Sequence, residues 1–215
     1  MVALLVLGLF VAAAEFIRLY FLQMKKNKAE KALIKKANEI YYLLLLTGDA
    51  ARNKKTIEES FTEYSNAVVE VVDWKFHSIW RLDEDKQVLY LRFTGHLPDW
   101  YIKAFSIGQT GIKVGDACIG ETVATKQPLT INDAANDPRF KNINKLPLQT
   151  GYQSLTGNPI MGRLRTYGGI NTYSDKINAF NLHDEQFLMI VGNLLGMVLE
   201  NRLLEKYLTS MVKRV

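Results

Sequence analysis

The chain has 215 residues, 48% of them hydrophobic, with a formal net charge of +5 and a single cysteine. This length suits one ordinary domain with appendages, and the apolar content is sufficient for a buried core. The lone Cys118 excludes a disulfide framework within the chain and suits a reducing compartment. Much of the positive charge lies in one lysine cluster near the N terminus, so it does not indicate a nucleic-acid-binding surface.

Residues 1–23 are predicted to form a membrane-spanning helix. Between Val2 and Leu22 only Glu15 and Arg18 are charged, and about 20 apolar residues cross a hydrocarbon core of about 30 Å. Glu15 and Arg18 are three residues apart, so they share a helical face and can pair. Two alternatives stay open: a cleaved signal peptide, whose basic leading region is missing here, and a buried helix of a soluble protein.

The flanks of this segment predict its orientation. Lys25, Lys26 and Lys28 follow it directly, further lysines continue to Lys36, and no Lys or Arg precedes it. Because cytoplasmic flanks carry the excess of Lys and Arg, a single-pass protein with its remaining chain in the cytoplasm is expected. Glu15, Arg18 and the three leading lysines are the predicted membrane-flanking residues, and the lysines can contact anionic headgroups.

Residues 24–55 are predicted to be a helical linker, basic at first and strongly apolar from Ile40 to Leu46. That apolar run is too short to span a membrane, so we expect it to pack on a partner helix or on the membrane surface. Thr47-Gly48-Asp49 is typical of a helix end. Thr56 is a predicted N-cap of the next helix, with Glu59 completing a capping box.

The rest of the chain predicts helices around an antiparallel sheet. Alternating apolar and polar residues indicate strands, and apolar residues at helical spacing indicate a long final helix. This combination predicts an α+β fold. The predicted elements are a β-hairpin (76–82 and 88–93), a short helix opening at Pro98, a strand at 129–131, strands at 158–161 and 168–173, and a helix from His183 onward with Asn181, His183, Asp184 and Glu185 at its N-terminal cap.

The most informative segment runs from Gly115 to Asp133. It predicts a glycine-bounded short helix, a turn through Lys126-Gln127-Pro128 and a strand that ends at an aspartate. A polar turn, Ala134–Phe140, follows, and it contains Asp137-Pro138, two residue types that favour turns.

In their order and spacing these motifs resemble the GAF domain family, which has a glycine-rich helix, a Gln-Pro step and an Asp-Pro-Arg-Phe loop. The resemblance implies a GAF/PAS-like domain at 56–208, with residues 209–215 ending the last helix. It also implies a central antiparallel sheet with helices on one face and a small-molecule pocket on the other. Its later parts are Gly151–Leu155, Asn158-Pro159-Ile160, Gly168–Ser174 and Glu200-Asn201-Arg202-Leu203.

The resemblance further implies which side chains would face such a pocket. The polar candidates are Asp133, Asp137, Arg139, Ser154 and Thr172, with Trp80 and Tyr167 as stacking surfaces. Each has an ordinary alternative role, because aspartates favour turns and hydroxyl side chains are common in strands.

The more specific functions known among GAF proteins do not match the residues of this chain. A covalent bilin needs a cysteine beside a histidine, whereas Cys118 lies between Ala117 and Ile119. Reductases of free methionine sulfoxide need a reactive cysteine with resolving partners, and no cation is adjacent to this thiol in the sequence. The cyclic-nucleotide signature of phosphodiesterases is not found either. A buried structural role is the expectation for this thiol.

Metal and hydrolytic chemistry are also not expected. His77, His96 and His183 are far apart in the sequence, and none has a Cys or carboxylate at metal-ligand spacing. The sequence has no Gly-x-Ser-x-Gly elbow, phosphate loop or paired-carboxylate pattern. We therefore expect no catalytic residues, no metal and no cofactor.

The leading hypothesis is a non-enzymatic, membrane-tethered GAF-like protein that regulates or scaffolds through protein contacts in a membrane complex. The expected contact surfaces are the apolar run Ile40–Leu46 and the exposed side of the last helix, where self-association is expected. One alternative is a sensor of a cyclic nucleotide or metabolite that signals to a separate effector. Another is an enzyme that uses Cys118.

Overall fold

The structure is a computed structural model that describes residues 2–52, 56, 59, 62–63, 65–68, 76–105, 110–140 and 151–212. Within the first of these ranges, side chains are described for residues 15–39 and for Tyr42. The chain forms two compact units, Met1–Tyr41 and Tyr42–Val215.

The first described element is α1, a single helix of 51 residues from Val2 to Arg52. The predicted helix end at Thr47-Gly48-Asp49 is therefore wrong. One glycine within a helix costs only about 1 kcal/mol relative to alanine, and Ala50 and Ala51 follow as strong helix formers. The predicted capping box is confirmed, because the Thr56 amide donates to the Glu59 carboxylate at 2.7 Å and the Glu59 amide donates to Thr56 Oγ1 at 3.2 Å.

Among the described residues, one helical stretch, Leu182–Met211, is long and apolar enough to cross a membrane. Most of it is buried in the domain, as is typical of the core helix of a soluble fold. The predicted span at residues 1–23 includes positions 1–14, whose side chains lie outside the described part of the chain. Its membrane role therefore stays a prediction.

Six strands form one antiparallel sheet in the order β3-β2-β1-β6-β5-β4. The predicted hairpin, the strand at 129–131 and the two later strands are confirmed, the last two with longer bounds. The strands are β1 (Phe76–Asp83), β2 (Val88–Gly95), β3 (Gly111–Lys113), β4 (Leu129–Ile131), β5 (Ser154–Met161) and β6 (Thr166–Ser174).

Three further helices complete the described elements. They are α2 (Asp99–Ala104), α3 (Ala117–Thr125) and α4 (Leu182–Val212), and a 3₁₀ turn occupies Pro138–Phe140. The predicted helices after Pro98, after Gly115 and near His183 are confirmed. The cap of α4 is also confirmed, because Asn181 Oδ1 accepts from the His183 amide at 2.8 Å and the Asp184 carboxylate accepts from the Asn181 amide at 3.0 Å.

Helices cover both faces of the sheet, which corrects the expectation of helices on one face only. The helix α4 packs against β5 and β6. On the opposite face, α3 lies so close to β5 that a methyl group added to Gly157 would meet Thr122 Oγ1 at 2.7 Å. Strands β5 and β6 are consequently buried on both sides, whereas sequence alternation alone indicates one buried face.

A hydrophobic core cluster lies between the sheet and the helices α2 and α3. Its aromatic members pack edge-on or tilted, with ring centroids 4.8–6.3 Å apart. The cluster comprises Trp80, Leu89, Leu91, Leu97, Tyr101, Phe105, Cys118, Ile119, Val123, Ile131, Ala134, Tyr152, Leu155 and Tyr173.

Candidate functional site

A buried network of aromatic and polar side chains lies on the α3 side of the sheet. Its centre is the Tyr173 hydroxyl, which lies 2.7 Å from Ser78 Oγ and 3.0 Å from the Tyr101 hydroxyl. Asn171 donates to the same hydroxyl at 3.3 Å, and the Trp80 indole donates to Ser78 at 2.8 Å. Strands β1 and β6 position these groups, since alternate residues of neighbouring strands point to the same face.

This network fills the space beneath α2 and α3 with the protein's own side chains. Trp80 is completely buried, and its ring meets Phe105 edge-on at a centroid distance of 5.2 Å. Burial raises the pKa values of Tyr101 and Tyr173, so both phenols stay neutral. The region is therefore a packed core whose polar groups are hydrogen-bonded to each other, and not an open ligand-binding pocket.

An open cavity of about 500 Å³ lies beside this core, at the N-terminal end of α3. Gly115, at a φ of +93°, makes the turn that leads from β3 into the helix. The turn is held by the Asp116 amide, which donates to the Lys113 carbonyl at 3.0 Å. The cavity is lined by Phe105, Gly111, Ile112, Lys113, Gly115, Asp116, Ala117, Glu121 and Arg139.

Arg139 is the most firmly held charged group of this cavity. Its guanidinium donates to both carboxylate oxygens of Asp137, at 2.7 and 2.6 Å, and lies 3.8 Å from the Glu121 carboxylate. The fork-like pair lowers the pKa of Asp137 and raises that of Arg139. Arg139 is thus a fixed cation whose orientation is set by the loop that carries it.

The cavity combines two cations, Lys113 and Arg139, with two carboxylates, Asp116 and Glu121. Such a lining can bind a small molecule that carries both donor and acceptor groups. The described residues include no group of three His, Cys, Asp or Glu side chains that could hold a metal ion.

The thiol of Cys118 lies in the core next to the cavity. Its sulfur contacts the Leu129 carbonyl at 3.6 Å, and burial raises the pKa of the thiol to about 12. It is therefore protonated at neutral pH, and a protonated thiol is a poor nucleophile.

A comparison with protein families matches residues 54–200 to the GAF domain. This chain belongs to the GAF domain family. The match covers most of the chain, including every strand of the sheet and the larger part of α4. The predicted family membership is confirmed, and GAF domains are a regulatory and sensory fold. A comparison with curated proteins finds no match.

Solved structures show the same fold at low sequence identity. The GAF domain of an Acinetobacter phosphoenolpyruvate-protein phosphotransferase is 17% identical, with a TM-score of 0.60, over 80% of this chain and 97% of that chain. The corresponding GAF domain from Coxiella burnetii is 17% identical, with a TM-score of 0.62, over 80% and 98%. The free methionine-R-sulfoxide reductase of Neisseria meningitidis is 16% identical, with a TM-score of 0.62, over 80% and 93%.

The GAF domain does not bring the seven predicted pocket residues into one site. Arg139 lines the cavity, and Asp137 holds it in place. Asp133 lies in a second hollow of about 320 Å³, where it accepts a hydrogen bond from Asn136 at 2.7 Å. Whether either hollow binds a ligand stays a prediction.

The other four predicted residues lie elsewhere. Ser154 is buried and donates to the Lys176 carbonyl at 2.6 Å, and Trp80 belongs to the core. Thr172 lies 3.5 Å from His77 Nδ1 on the α4 side of the sheet. Tyr167 lies beneath the guanidinium of Arg165 at 5.1 Å, next to the β5–β6 turn.

Sequence reasoning missed most of the cavity lining, including Lys113 and Glu121. Glu121 follows Ala117 by four residues in a predicted helix, so the sequence could have predicted that the two residues share a face. The position of Lys113 could not be predicted, because β3 is too short to show an alternating pattern and is recognised only by its pairing with β2.

Proposed function

We propose that this GAF protein is a membrane-tethered regulatory or scaffolding subunit that acts through protein–protein contacts rather than catalysis. The tether is the helix α1, and the contact surface is the outer face of α4. The observation that carries this proposal is a row of exposed apolar residues on α4.

The row consists of Ile190, Met197, Leu204 and Met211, each seven residues after the previous one, with Leu208 beside them. Their exposed fractions lie between 38% and 61%. Up to Arg202 the opposite face of the helix is buried in the domain core, whereas from Leu204 to Met211 every residue is exposed. A spacing of seven keeps these residues on one helical face, the pattern that packs against another helix. A contiguous apolar face of this kind favours a partner, since monomeric surfaces rarely expose one.

Described side chains of α1 support the tether. Phe16, Ile17, Leu19, Tyr20, Phe21, Leu22 and Met24 are each more than half exposed. Successive residues of a helix are about 100° apart, so these side chains surround the helix on all sides. A helix that is apolar around its whole circumference suits lipid, and the lysines from Lys25 onward suit anionic headgroups on the cytoplasmic side.

Co-purification of the tagged full-length chain from solubilised membranes tests the protein contact. We expect at least one specific protein, or a second copy, to be captured, and Leu204→Glu to reduce that capture at least tenfold by placing a charge in the apolar row. Ser210→Glu is the matched control, because it adds the same charge at an exposed position that is rotated by about 120° from Leu204 around α4. Recovery of the monomeric chain alone, or equal capture by both variants, would contradict the proposal.

A second candidate function is a small-molecule sensor, and the cavity at the start of α3 favours it. Its volume of about 500 Å³ is within the range of ligand pockets, and Arg139 is fixed at its edge. A ligand would shift the domain only by binding two of its states with different affinity.

Thermal unfolding of the full-length chain with a panel of cyclic nucleotides and metabolites tests the sensor. A true ligand raises the midpoint for the wild type by several degrees at about 100 times its Kd, and that shift is lost in Arg139→Gln. Arg163→Gln is the control, since Arg163 lies in the β5–β6 turn and does not line the cavity. Equal shifts in both variants would place the ligand elsewhere.

An enzyme that uses Cys118 is the least supported reading. The thiol is buried in the core, and its raised pKa leaves almost no thiolate at neutral pH. These observations favour a packing role for the side chain.

A further inference from the structure

The helix α1 carries an acid–base pair within its predicted membrane span. Arg18 Nε lies 3.5 Å from Glu15 Oε1, yet 53% of the Glu15 side chain and 69% of the Arg18 side chain remain exposed. The pairing within one helix therefore leaves most of both charged groups uncovered. Charged groups inside a bilayer are costly unless other polar groups meet them.

The depth of this pair follows from the helical rise. Lys25 is ten residues after Glu15, which is about 15 Å along the axis and about half of a hydrocarbon core. With the lysines at the headgroups, this rise places Glu15 deeper than a membrane-flanking residue, near the middle of the bilayer, where its short side chain cannot reach the surface. Its missing contacts must come from another group within the membrane.

Glu15 and Arg18 also belong to a row of positions along one face of α1, which we call the seam. Gaps of four and three residues alternate between its positions, which is the 3.5-residue repeat of two helices that wrap around each other. Glycine within such a seam allows two backbones to approach closely. The positions are Leu4, Gly8, Val11, Glu15, Arg18 and Leu22.

We propose that α1 pairs in parallel with α1 of a second copy of this chain, so that Glu15 of each copy binds Arg18 of the other. This inference rests on the proposed membrane tether. The second copy fits because the seam is self-complementary: two chains bring two carboxylates and two guanidiniums to the same depth, and the cluster is neutral. In a parallel pair the residues at consecutive seam positions are neighbours across the interface.

Disulfide cross-linking of the full-length chain in its membrane tests the seam. Leu22→Cys lies on the seam near the lysines, whereas Phe21→Cys is rotated by about 100°. We expect oxidation to link Leu22→Cys at least tenfold more than Phe21→Cys, because cysteines bridge only across short distances. Cys118 is buried in the domain and serves as an unchanged background. Equal linking of both variants would refute the proposal that the two helices meet along the seam.

Charge variants in the Leu22→Cys chain test the ion pairs. Glu15→Arg alone and Arg18→Glu alone are each expected to reduce linking about tenfold, the effect of losing a polar contact between helices in a membrane. Co-expression of the two variants restores opposite charges and is expected to restore linking between them. Unchanged linking in the single variants, or no recovery on mixing, would overturn the proposal.

Extraction with alkaline carbonate separates this inference from the tether itself. A wild-type chain that carbonate removes from the membrane refutes the tether and this inference with it. A chain that resists extraction but does not link through Leu22→Cys refutes the pairing alone. Each variant is scored only after the same extraction shows that it is integrated in the membrane.

Discussion

Gly196→Ala is expected to lower the free energy of unfolding of the domain by about 3 kcal/mol, the upper end of the usual cost of overpacking. Gly196 lies where α4 crosses the end of β5, and a methyl group there would overlap the Met161 carbonyl and come within 2.7 Å of the Gly162 nitrogen. These are backbone atoms, so they cannot move aside as a side chain would. Thermal unfolding of the full-length chain should show a midpoint lower by about 6–12 °C.

Ser210→Ala is the matched control for this substitution. It introduces the same residue into an exposed turn of α4, where alanine favours the helix slightly, so we expect an unchanged or slightly higher midpoint. If Gly196→Ala behaved like Ser210→Ala, the close contact of α4 with β5 would be refuted.

Glu200→Gln is expected to destabilise the domain by about 2 kcal/mol. Glu200 is only 8% exposed, and its two carboxylate oxygens accept hydrogen bonds from the Arg163 and Leu164 amides at 2.6 and 2.8 Å. A glutamine keeps one acceptor oxygen and turns an amino group towards the second donor. One backbone amide of the turn would then lose its charged acceptor and face the amino group instead.

Glu205→Gln is the control for the effect of charge on the same helix. Glu205 pairs with Arg202 at 2.7 Å, and the side chain of Glu205 is 49% exposed although that of Arg202 is only 4% exposed. Glutamine keeps one acceptor oxygen for the guanidinium, so the change should cost about 1 kcal/mol or less. Unfolding of both variants in the same detergent compares the two sites directly. An equal loss in both would show that Glu200 does not hold the β5–β6 turn.

The order of the elements could be predicted because their local signals are strong. The capping box of Thr56 and Glu59, the glycine-bounded helix after Gly115 and the cap at Asn181 each follow from side-chain chemistry within a few residues. The family resemblance followed from the arrangement of these signals, and it implied the antiparallel sheet without the order of its strands. The end of α1 could not be placed, because a single glycine such as Gly48 stops a helix only when the following residues also disfavour it.

The candidate site was less predictable, because it depends on contacts between residues far apart in the sequence. Trp80 was predicted to be a stacking surface of the pocket and Tyr173 reads as an ordinary strand residue, but the pairing of β1 with β6 places both in one buried network with Tyr101. The same pairing places Thr172 on the opposite face, although it is adjacent to Tyr173 in the chain. Arg139 was identified through the Asp-Pro-Arg-Phe loop of the family resemblance, a local motif that also contains its partner Asp137.

The two short strands at the margins of the sheet limit how this protein can associate. Strands β3 and β4 have only three residues each, so the outer edges at Gly111–Lys113 and Leu129–Ile131 present few free backbone groups. An added strand from another molecule would gain few main-chain hydrogen bonds there, which guards against edge-to-edge aggregation. If the domain associates as proposed, its short edge strands favour side-chain packing between helices over extension of the sheet.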